Sequence, residues 1–280
     1  MERKDYPAVG EVVYQTTLQN GLRVFLLPKQ DFNETYGIMT ANFGSIDTCF
    51  IPRGSNQVVQ YPAGVAHFLE HKLFEDENGQ DILQQFVKLG AESNAFTSFT
   101  KTSYLFSATD NILENVRLLQ SLLENAYFTE ESVQREQGII QQEISMYQDN
   151  PDYCLFFHTL ANLYPDTSLA EDIAGSIESV AEITVEDLNE NFETFYHPSN
   201  MSLLLIGNFD LEKTITVIQE QQEHLDSFAK QGLIQRSSLT LNPIIATGSV
   251  RMEVASSKLA IGLRGNQSLA EVDLFRYKIG

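Results

Sequence analysis

Cysteine is scarce: Cys49 and Cys154 are the only two in 280 residues, and they stand far apart and outside any C-x-x-C spacing. A disulfide framework is therefore not expected, and two buried free thiols in a reducing compartment are. Basic residues are few as well. The 18 Lys and Arg against 38 Asp and Glu give a formal net charge of -20, which argues against nucleic acid or an anionic membrane as partner. Long apolar runs are missing: no stretch approaches a membrane span, and residues 1–7 (MERKDYP) hold no apolar core of a secretory signal. The sequence thus predicts a soluble cytoplasmic protein. Neither low-complexity segments nor short repeats occur. What is present is 42% hydrophobic content, enough for a substantial core in one large domain or two smaller ones. The acidic excess reads either as a solvated surface or as an electronegative chamber that attracts basic peptides.

The most informative stretch is residues 64–75, GVAHFLEHKLFE, which follows Pro62 and has no helix breaker after Gly64. At a period of 3.6 residues, His67, Glu70 and His71 project from one helix face. Two imidazoles at this spacing reach one zinc ion, and a carboxylate between them can take a proton from an attacking water. Two helical histidines can also cap or pair with carboxylates. Here, however, Val65, Ala66, Phe68, Leu69, Leu73 and Phe74 make the helix largely apolar. Polar groups inside such a helix need partners or a metal, because leaving one unpaired costs roughly 1–3 kcal/mol.

Two histidines leave a catalytic zinc one protein ligand short. Residues 131–147 form a helical pattern after a Thr129 cap, and Glu136 and Glu143 lie seven residues apart on one of its faces. Glu143 is a candidate third ligand and Glu136 a candidate for orienting one; both also fit a solvated acidic helix face.

Elsewhere, residues 12–18 and 22–27 predict a hairpin across Asn20-Gly21, and residues 36–43 a third strand. Residues 94–99 and 102–107 predict a second hairpin, and 201–206 a continuous apolar strand. Helical periodicity covers residues 81–89, 112–126, 153–163, 184–196 and 211–230. The segment 45–51 continues or bends the third strand before a polar loop at 52–60, and 76–79 reads as a turn.

The ordered set Gly64-Val65-Ala66-His67-Phe68-Leu69-Glu70-His71, Asn94-Ala95-Phe96-Thr97, then Glu136 with Glu143, resembles the pitrilysin and insulinase family of inverzincin (H-x-x-E-H) zinc metallopeptidases. Residues 18–24 are similar to the family's first hairpin, and residues 196–201 and 206–209 to its last strand and following turn. The likeness is greatest to short bacterial processing-protease-like members. It implies an α+β fold, a mostly antiparallel sheet packed against helices. It also implies one Zn2+ per chain on His67, His71 and Glu143, with Glu70 as general base and Glu136 in a supporting catalytic role. Residues Asn94, Ala95, Phe96 and Thr97 would bind an extended peptide substrate by β-augmentation. Nitrogen and oxygen ligands would also accept manganese or cobalt.

Family members are built from two related halves that close around the substrate. On that pattern residues 1–231 form the zinc-bearing half, 232–248 a linker, and 249–280 the beginning of a second, incomplete half, with strands at 249–253 and 258–263 and a helix starting at 272. The expected function is zinc-dependent hydrolysis of peptides or small unfolded proteins, completed by a second half-domain or a partner subunit in a homo- or heterodimer. The alternative is a non-catalytic member that serves as the binding or assembly subunit of a heteromeric peptidase-like complex.

Overall fold

The computed structural model describes residues 1–75, 79–122, 126–223 and 234–265. Nine strands lie among the described residues: β1 Glu2–Tyr6, β2 Glu11–Thr17, β3 Arg23–Pro28, β4 Thr35–Ala41, β5 Cys49–Phe50, β6 Val59–Gln60, β7 Ala91–Thr97, β8 Thr102–Ala108 and β9 Met201–Gly207. Seven of them make one sheet in the order β1-β2-β3-β9-β4-β8-β7, while β5 and β6 pair separately. The pairing of β3 with β9 is parallel and the other pairings in that sheet are antiparallel.

Alternation explains why these segments are strands. Along β4 and β9 every second residue is buried, so Met39, Leu203 and Leu205 fall on one face and enter the core. The described helices are α1 Val65–Lys72, α2 Leu83–Lys88, α3 Ile112–Ser121, α4 Glu130–Gln148, α5 Pro151–Leu163, α6 Ile177–Glu182, α7 Val185–Phe195 and α8 Leu211–Glu223, of which α1, α2 and α3 pack against the sheet while α4 packs on α1 and α5 on α4. The core joins Phe68 and Leu69 of α1 to Phe106 of β8, Val116 and Leu119 of α3, and Ile218 of α8, each nearly or fully buried. Each such side chain contributes roughly 1.5–3 kcal/mol on burial. An aromatic stack at one end, Phe43 on Phe195 at 4.2 Å and Phe50 on Tyr61 at 4.7 Å, closes the core beside β5.

Several boundaries differ from the sequence expectation for physical reasons. Strand β1 is fully exposed and carries no apolar alternation, and it forms only by pairing with β2. Helix α5 begins at Pro151, because Asn150 caps it and proline suits the first turn. Cys49 and Cys154 are free, as expected, but partly exposed and not buried. Residues 45–60, expected as a bend and loop, contain the short β5–β6 pair.

Among the described residues, 234–265 contain only one isolated bridge, Phe50 with Arg236, and no strand at 249–253 or 258–263. Leu259, Ile261 and Leu263 keep the period-two pattern yet are 85%, 82% and 91% exposed; without a paired neighbour the pattern does not become a ladder. Nor is 234–248 a free tether. The Ile245 N–H donates to Asn162 O at 2.8 Å and Asn242 to Pro165 O at 3.2 Å, laying the segment along α5. The turn expected at 76–79 is described only at Gly79, and the helix expected from residue 272 lies outside the described residues.

Candidate metal centre

Helix α1 starts where only glycine fits. Gly64 has φ 92°, and a Cβ there would stand 2.4 Å from Ala174 O, so the chain enters the helix pressed against the 172–175 loop. The helix then buries Val65, Ala66, Phe68 and Leu69, which turns His67 and His71 toward α4. The capping box of Thr129 and Ser132 starts α4, while Val133, Ile140 and Ile144 bury its inner side. Two anchored helices thereby face each other across the site.

His67 Nε2 lies 3.9 Å and His71 Nε2 3.5 Å from Glu143 Oε2. One ligand atom from each of the three residues falls within 4.8 Å of the others. Tetrahedral zinc with bonds near 2.0–2.1 Å requires ligand atoms about 3.3 Å apart, so small rotamer adjustments close the set. His67 makes no hydrogen bond through either ring nitrogen among the described residues, and its Nδ1 is buried without a partner. A buried imidazole in that condition is costly, and a cation among these atoms would take up Nε2. Two imidazoles and a carboxylate are also the donor set of a catalytic zinc, so the residues fit the metal.

Charge reinforces the arrangement. Burial, then the neighbouring His71, pushes the His67 imidazole down to about 3, so it is neutral and ligand-ready near pH 7. At His71 burial alone would lower the value, but the hydrogen bond and charge of Glu136, with Glu70 and Glu143, outweigh it and the ring is raised. Glu136 Oε1 sits 2.8 Å from His71 Nδ1, which fixes the ring so that Nε2 points at Glu143. Glu70 is 9% exposed; burial raises it chiefly, helped by Glu143, against the lowering effects of Thr97 and His71. A carboxylate shifted upward is the stronger proton acceptor.

Asn94, Ala95, Phe96 and Thr97 all lie on β7, which pairs with β8 on one side and is the edge of the sheet on the other. Asn94 and Phe96 are exposed. Thr97 differs: its hydroxyl donates to Glu70 Oε2 at 2.5 Å, so its side chain turns to the carboxylate and holds it. Two further contacts escaped the sequence reading. Tyr147 stands one turn beyond Glu143, and its phenol is pushed up by burial and then by that carboxylate, a relation legible as an i,i+4 spacing on α4. Glu75 bridges buried Lys72, three residues before it, and Arg135 (2.5 Å), tying the end of α1 to α4; Arg135 lies 60 positions away and carried no signal.

Residues 47–176, which carry all five of these ligand and acidic positions, match the family described as Insulinase (Peptidase family M16). The chain belongs to that family. Residues 182–277 match its Peptidase M16 inactive domain. The chain is 44% identical over 262 residues to the uncharacterized zinc protease YmfH of Bacillus subtilis, covering 93% of this chain and 61% of that protein. An M16-like peptidase from Alicyclobacillus acidocaldarius superposes with a TM-score of 0.76 at 40% identity, over 80% of this chain and 52% of the other. The first half of the periplasmic protease PqqL from Escherichia coli shares the fold, with a TM-score of 0.67 at 21% identity over 82% of this chain and 49% of the other. The chain thus spans about three fifths of the length of the curated relatives it matches, 61% and 60% for the first two.

Proposed function

We propose that the protein is a zinc-dependent metalloendopeptidase acting on peptides or small unfolded proteins, and that a second half-domain or partner subunit completes its substrate chamber. The observation that carries this reading is the convergence of His67, His71 and Glu143 beside a buried carboxylate, Glu70, that is held by Thr97. When bound, zinc supplies Lewis acidity toward the scissile carbonyl. Glu70 takes the proton from the attacking water and delivers it to the departing amine. His67 stays neutral through burial, and Glu136 keeps the His71 ring oriented. The open edge of β7 offers backbone N–H and C=O groups to an extended peptide, which aligns its main chain past Glu70.

The test is Glu70→Gln. This variant should bind zinc like the parent and lose hydrolysis of an unstructured peptide by roughly 10²- to 10⁴-fold, because a neutral amide takes no proton. Normal cleavage by the variant would overturn the assignment of Glu70. The match of residues 182–277 to the inactive domain favours one alternative, a non-catalytic assembly subunit. That match lies outside the segment bearing His67, Glu70, His71 and Glu143. A folded parent chain that takes up no zinc would decide for the alternative.

A further inference from the structure

Arg236 lies far from the candidate metal ligands in sequence, in the stretch expected to be a linker, yet it is held on several sides. Its Nε donates to Asp47 Oδ1 at 2.6 Å, and Asp47 is only 7% exposed. Its Nη2 donates to the Asn42 carbonyl, and the guanidinium lies 5.2 Å over the ring of Phe195. The backbone on either side is fixed as well: Ile51 N–H donates to Gln235 O at 3.0 Å and Ser237 N–H to Cys49 O at 2.9 Å. The segment therefore adds itself to the edge of β5.

The other contacts of Asp47 lead to the site. Asp47 Oδ2 accepts from the Gly44 N–H at 3.0 Å, closing the 44–47 loop. From that loop Ser45 N–H donates to Ser98 O at 3.0 Å and Ile46 N–H to Phe99 O at 3.1 Å. A Cβ on Gly44 would lie 2.5 Å from the backbone of Ser98 and Thr100, so loop and turn touch directly. Ser98 follows Thr97, the last residue of β7, whose hydroxyl holds Glu70.

We propose that Arg236 is a positioning residue: by bracing Asp47 and the 44–47 loop, it fixes the end of the β7 edge on which a peptide would lie. The segment leaving the zinc-bearing half is then a working part of the peptide-binding edge. The kinetic consequence rests on the peptidase reading above, while the structural consequence does not.

The experiment compares Arg236→Ala and Asp47→Asn with the parent in the full chain, by hydrogen exchange, zinc stoichiometry and peptide kinetics. The amide introduced by Asp47→Asn would keep the bond to Gly44 but lose the charge that holds Arg236. In Arg236→Ala, exchange in segments 43–48 and 96–101 should rise about tenfold, with β2 and β3 unchanged, as expected when one charge-assisted anchor is lost locally. Asp47→Asn should move the same segments less. Zinc stoichiometry should hold, since no metal ligand touches Arg236, and KM for a peptide should rise about tenfold with kcat within about twofold. Unchanged exchange at 43–48 and 96–101 would overturn the proposal. So would a uniform rise across the sheet, which marks a merely stabilising residue. If the parent hydrolyses no peptide, the peptidase reading fails and the exchange data alone decide the role of Arg236.

Discussion

Glu136 Oε1 lies 2.8 Å from Nδ1 of His71, so this carboxylate holds one nitrogen of the ring and leaves Nε2 to face Glu143 at 3.5 Å. A histidine fixed in this way presents Nε2 without losing rotamer freedom on binding, and its basicity rises.

Glu136→Gln should therefore keep the fold and weaken zinc binding by about 10- to 100-fold, because an amide holds the ring but adds no charge. Competition with a chromophoric chelator measures this directly. Equal affinities would remove Glu136 from the supporting role.

Glu143→Ala should have a larger effect. It removes one of three ligand atoms and leaves two imidazoles, which do not make a catalytic zinc site. Elemental analysis after dialysis should show near-stoichiometric zinc in the parent and little in the variant. Retention of full zinc by the variant would place the third ligand elsewhere.

The metal-free chain should become less stable on acidification through His67. Its imidazole is pushed down to about 3 by burial, from an ordinary 6.5. The unfolded chain then binds a proton that the folded chain refuses, so this contribution is complete above the unfolded value and is lost as pH falls below it. The slope reaches about 1.4 kcal/mol per pH unit. His71 is raised and acts in the opposite sense, gaining stability as pH falls, so the measurement must be a difference. Denaturant midpoints of the parent should fall more than those of His67→Asn between about pH 7 and about pH 5.

Much of the fold was legible because local chemistry decided it. Asn20-Gly21 between two apolar runs gave the β2–β3 hairpin, and the Thr129 cap gave the start of α4. The H-x-x-E-H spacing placed His67 and His71 on one face by helical geometry alone. The inward turn of Thr97 was not legible, since it depends on α1 packing under β7 and brings together residues 27 positions apart. The bridge from Arg236 to Asp47 spans 189 positions and equally has no local signature. Strand β1 was missed because its residues bury nothing and are ordered by backbone pairing.

The last prediction concerns an ammonium inside the protein. The Lys72 side chain is fully buried and pairs with Glu75, which also accepts from Arg135 at 2.5 Å, one residue before Glu136. Removing only the anion strands the Lys72 charge without its partner among the described residues, a change that costs roughly 3–5 kcal/mol in buried pairs. Removing the cation is different, because Glu75 keeps Arg135 and an apolar side chain of similar length fills the space. Glu75→Gln should therefore lower the unfolding free energy by roughly 3–5 kcal/mol, while Lys72→Met should be near neutral. Equilibrium denaturation of both variants reads the contrast. If Lys72→Met were the more damaging change, the ammonium would be valuable in its own right, and the bridge between α1 and α4 would depend on Lys72 more than on Arg135.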